Sequence, residues 1–125
     1  MVLNIYAAWI AIFAGVLAGL VSGMFFHDDN FLNGYTSWAR RLTRLGHVSF
    51  FGLGLLNLAT ALTARTLGIA DNLAVASWLM LVGLITMPVV CYVSAFWKPF
   101  RNLFFVPVLS VTVGVAVFIW RCLSE

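Results

Sequence analysis

Four stretches of this chain, residues 5–26, 45–64, 73–97 and 103–120, contain no Asp, Glu, Lys or Arg. Each approaches or exceeds the roughly 20 apolar residues that carry a helix through a hydrocarbon core about 30 Å thick. Inside lipid, backbone N–H and C=O groups must be satisfied within a helix or a closed barrel. Barrel strands would be about 10 residues long with strict in–out alternation, which none of these blocks shows. The expectation is an all-α membrane protein: four transmembrane helices in a compact bundle, a single domain over residues 1–125. Composition excludes the soluble alternative, because only 9% of the residues are charged and 63% are hydrophobic. An ordinary soluble domain carries about 25% charge.

The first block lacks the basic stretch that opens a signal peptide and is long for that peptide's apolar core, so it reads as a retained span. Four spans put both termini on one side. Arg40, Arg41, Arg44, Lys98 and Arg101 flank the first and third links, whereas Arg65 and Arg121 alone mark the opposite end. Five against two predicts cytoplasmic links and non-cytoplasmic termini, in a bacterial cytoplasmic membrane. Topology explains the positive charge without a nucleic-acid partner. The same five residues are expected to meet anionic lipid headgroups. Trp9, Trp78 and Trp120 fall near the outer boundary and Trp38 and Trp97 near the inner one, as aromatic anchors do.

Ser37 is the expected N-cap of a second helix that starts at Trp38, and Asp71 that of the third helix, after a turn at Gly68. Residues 30–35 read as a turn dipping towards the interface. Pro88 deprives the Leu84 carbonyl of its usual donor and should kink the third helix. Pro107 falls near the start of the fourth, where proline is tolerated.

Two ladders of small side chains run along the first helix: Ala7, Ala11, Gly15, Gly19, Gly23 and, beside it, Ala14, Ala18, Ser22. Faces of this kind let helix backbones approach closely in lipid. The second helix groups Gly46, His47, Phe50, Gly54, Asn57 and Ala61 within an arc of roughly 100°. Asn57 is expected near mid-bilayer, turned towards protein, because an unpaired amide is costly there.

The acidic residues Asp28, Asp29, Asp71 and Glu125 all fall outside the spans. Proton-coupled transport normally needs an intramembrane carboxylate. In size the chain resembles the small four-helix multidrug transporters, but its first helix lacks their membrane-embedded Glu. It also resembles small fluoride channels in length and span count; Gly83-Leu84-Ile85-Thr86-Met87-Pro88 does not reproduce their Phe- and Thr-rich third-helix motif. Nucleophilic triads, phosphate loops and zinc spacings are missing from the sequence, so catalysis is not expected. Cys91 and Cys122 are expected on opposite halves of the membrane and unbonded.

Three readings remain. The favoured one is a non-catalytic accessory or structural subunit of a larger membrane complex, partnered by other membrane subunits and lipid and needing no cofactor. The second is a haem b or pigment protein ligated by His47 and His27, both expected near the cytoplasmic face. The third is a homo-oligomeric channel or carrier with Asn57 and Pro88 along its path.

Overall fold

A computed structural model describes residues 1–124; Glu125 lies outside them. The described residues are all-helical, with α1 at Val2–Met24, α2 at Trp38–Thr66, α3 at Ala74–Phe96 and α4 at Phe105–Ser124. Four helices are long and apolar enough to cross a membrane. At 1.5 Å per residue the 29-residue α2 is about 43 Å long. It begins where its cap predicts: Ser37 Oγ accepts the Arg40 N–H at 3.1 Å. The α4 helix starts at Phe105, because Lys98–Phe104 forms a run of 3₁₀ helix with Pro99 in its first turn. The α3 helix is continuous from Ala74 to Phe96 with Pro88 inside it.

The expected cap at Asp71 is corrected. Asp71 belongs to a 3₁₀ turn, Ala70–Asn72, and α3 is preceded directly by Leu73, with no side-chain cap. The cause lies in how α2 ends. Gly68, at φ 74°, takes the left-handed conformation that L side chains resist. It closes a Schellman motif, with Ile69 N–H on the Ala64 carbonyl at 3.0 Å and Gly68 N–H on that of Arg65 at 3.2 Å. The reversal folds Ile69 and Leu73 onto Ala64 and Ala76 in one buried cluster. Burying Leu73 thus decides which residue precedes α3.

The helices pack in series. α2 and α3 form the centre, α1 lies on α2, α4 lies on α3, and α1 meets α3 only over a short stretch. α1 and α4 share no packed interface, so the expected compact bundle is open. Two apolar grooves result. One, about 580 Å³, lies between α1 and α3 over Phe50 of α2. The other, about 380 Å³, lies between α2 and α4 over Met87 of α3. Glycines set the close approaches between neighbours. A Cβ on Gly54 would meet the Ala8 carbonyl of α1 at 3.3 Å, one on Gly114 would meet Met80 Cγ of α3 at 2.9 Å, and one on Gly83 would overlap Val111 of α4. Met1 and Cys122 both pack against the cluster at the α2–α3 turn, which brings the two ends of the chain to the same end of the helices.

Candidate functional site

Three buried polar side chains form one network joining three helices. Asn4 of α1 is 1% exposed, Asn57 of α2 is 1% and Ser77 of α3 is 7%. The Asn4 amide donates to Asn57 Oδ1 at 2.9 Å and to the Ser77 carbonyl at 3.1 Å. Ser77 Oγ donates in return to Asn4 Oδ1. The Asn57 amide donates to the Leu53 carbonyl at 2.9 Å and to that of Met80 at 3.3 Å. Both carboxamides therefore have two donated bonds and an accepted one, which removes the cost of an unpaired amide in a low dielectric.

Asn57 is buried, and the network that it joins reaches residues close to helix ends. Asn4 is the third residue of α1 and Ser77 the fourth of α3. The network thus lies towards the end of the helices that carries the chain termini, and Asn57 borders neither groove. The sequence reading does not reach Asn4, which immediately precedes the apolar block at 5–26. The signal was present in the spacing, since the buried residues of α1 are Asn4, Ala8, Ala11 and Gly15.

That spacing also corrects the ladder. A strict four-residue ladder drifts about 40° per step, so a stripe that stays on its partner alternates steps of four and three. Ala11 and Gly15 are buried, Gly15 beneath Phe50 and Phe51, and Gly19 lies beneath His47. Gly23, at the far end, is exposed, and a Cβ there would meet nothing within 4 Å. Ala7 and Ala14 instead line the α1–α3 groove. Gly46 and Gly54 serve different interfaces: Gly46 lies against Tyr92 of α3, Gly54 against α1.

The structure does not bring the two histidines together. His27 is exposed in the turn after α1. The His47 ring rests on α1 eight residues earlier, where a Cβ on Gly19 would meet its Cε1 at 2.7 Å. It packs edge-on to Phe51 at 5.3 Å. His47 Nδ1, Tyr92 Oη and Ser94 Oγ are buried without hydrogen-bond partners. Among the described residues, no three His, Cys, Asp or Glu side chains gather as a metal site. Cys91 and Cys122 are both free.

The basic residues divide into two kinds. Arg40 is 6% exposed. Its guanidinium donates to the Phe26 and Asp28 carbonyls at 3.3 and 3.4 Å and lies 5.2 Å from the Tyr35 ring centroid. Arg44 donates to the Tyr35 carbonyl at 3.0 Å, and its guanidinium lies 4.4 Å from the Tyr35 ring centroid. Arg40, buried, and Arg44, exposed, both fasten the α1–α2 link through its backbone carbonyls. The Asp28 carboxylate accepts the Asn30 N–H at 2.9 Å, in a turn of its own. Arg41, Lys98 and Arg101 are exposed. Trp38 does more than anchor: its Nε1–H donates to the Ser94 carbonyl at 2.8 Å, tying the start of α2 to the end of α3.

Chemically, this arrangement joins helices through satisfied amides and close glycine contacts and presents cations at one end. No significant match to the chain was found among protein-family models, curated proteins or solved structures.

Proposed function

We propose that this chain is a non-catalytic accessory subunit of a larger membrane complex, resident in a bacterial cytoplasmic membrane. The observation that carries this reading is the one-sided packing of α1. Its buried stripe meets α2 and, through Asn4, the start of α3, whereas Ala7, Ala11 and Ala14 border an apolar groove of about 580 Å³ that no helix of the chain fills. In lipid, helices associate through close packing of such small-residue surfaces. A transmembrane helix of a partner subunit is the occupant that this surface suits.

The test is purification from native membranes in mild detergent with mass spectrometry of the eluted peak. A partner protein should co-elute in stoichiometric amount, and Ala14→Phe, which fills the groove, should release it. Elution of this chain alone from native membranes overturns the reading.

Both charged links are assigned to the cytoplasm, on the balance of five basic residues against two. With Cys91 and Cys122 replaced by alanine, a single cysteine at Asn72 should react with a membrane-impermeant thiol reagent added to intact cells. One at Asn33 should not, and the reverse pattern inverts the topology.

A further inference from the structure

The link between α3 and α4 differs from the other two in pairing exposed cations with an apolar groove. Lys98–Phe104 is a 3₁₀ run. With three residues per turn, Lys98 and Arg101 share one edge, while Phe100 and Leu103 share another about 120° away. Lys98, Arg101 and Asn102, with Pro99, line an open concavity of about 310 Å³. Phe100 and Leu103 join Ile85, Val89 and Val106 in an apolar groove of about 200 Å³ that runs along α3 and the start of α4.

Arg101 is held in place from the side. Its guanidinium carbon lies 5.9 Å from the Trp38 ring centroid, and Trp38 is itself fixed through its bond to Ser94. Of the described acidic residues, Asp71 lies at the α2–α3 turn, and Asp28 accepts the Asn30 N–H within the α1–α2 link. Arg40, by contrast, has donors on backbone carbonyls.

We infer that this link is a binding site for an anionic phospholipid, with the phosphodiester on Lys98, Arg101 and Asn102 and an acyl chain in the groove beneath Phe100 and Leu103. Charge complementarity selects the headgroup, and the apolar groove on the same turn selects a lipid over a free phosphate. The inference stands apart from the accessory-subunit reading and is tested on the purified chain alone.

Native mass spectrometry, with the detergent-solubilised protein titrated by phosphatidylglycerol or phosphatidylcholine, reads the site directly. The wild type should retain phosphatidylglycerol preferentially. At about fivefold per cation, Lys98→Gln with Arg101→Gln should weaken that retention roughly 30-fold. Arg65→Gln with Arg121→Gln, at the other end, should leave it unchanged and serves as the matched control. Leu103→Trp, at a position 39% exposed, fills the groove and should weaken phosphatidylglycerol while sparing glycerol phosphate. Circular dichroism and elution volume establish that each variant is folded. Equal losses in the two double variants overturn the site. An unchanged Leu103→Trp protein, or glycerol phosphate bound as well as the lipid, overturns the lipid assignment.

Discussion

A Gly83→Leu protein is expected to lose its α3–α4 interface, the largest effect of any single substitution considered. A Cβ at residue 83 would already overlap Val111, and the Pro107 carbonyl lies 3.6 Å away. Below that point Gly114 brings α4 against Met80 and Leu79, so tilting α4 away from Gly83 also opens the second contact. Overpacking a tight interface costs about 1–3 kcal/mol and sometimes more. The upper end is expected here, because α4 packs on α3 and on the 3₁₀ run before it and has no interface with α1.

Two measurements check this. Reversible unfolding in mixed micelles should show a loss of about 3 kcal/mol. Cys122, half-buried against the cluster at the α2–α3 turn, should become reactive to thiol reagents, while Cys91, at 0% exposure in α3, should not. The milder Gly83→Ala should be partly rescued by Val111→Ala, which removes the group it meets. A Gly83→Leu protein as stable as the wild type would show that α3 and α4 do not meet at this point.

The second expectation concerns the amide network. Asn57→Leu removes the acceptor of one Asn4 bond and the donor to the Met80 carbonyl, both in the buried interior. Interhelical hydrogen bonds in membranes are worth about 0.6–2 kcal/mol, and each buried polar group left behind adds to the loss. A destabilisation of about 2–3 kcal/mol is expected for Asn57→Leu, and a similar one for Asn4→Leu. The double variant should lose less than the sum by about 1 kcal/mol or more, because each single change already breaks the shared bond. Additivity within about 0.5 kcal/mol would mean that Asn4 and Asn57 do not act together. Ser77→Ala should be the mildest member of the series, since it leaves the Ser77 carbonyl on Asn4 in place.

These two contacts also separate what a reader of the sequence can see from what only packing reveals. The absence of charge from four long blocks is a local property, and the bilayer makes it decisive. The four helices therefore follow from composition and length, as does the start of α2 at Ser37, whose side chain caps its own helix. Asn57 was legible as a group that must face protein, because leaving it in lipid is costly. Its partners were not, since Asn4 and the Met80 carbonyl lie 53 and 23 residues away on other helices and no local pattern joins them.

The basic residues show the same division. All five at one end look alike in sequence, yet only Arg40 is buried; Arg44 is exposed but bonded to its own link, and Arg41, Lys98 and Arg101 face outward. The stripe on α1 was visible as a run of small side chains, but its rotation was set by α2, which selects Ala8 and leaves Gly23 uncovered. Sequence alone determined the number, length and membrane character of the helices, because those depend on each segment meeting lipid. Tertiary structure alone decided that the helices follow one another in an open series. It also decided which polar groups meet and which surfaces remain for partners, because those depend on side chains brought together from distant parts of the chain.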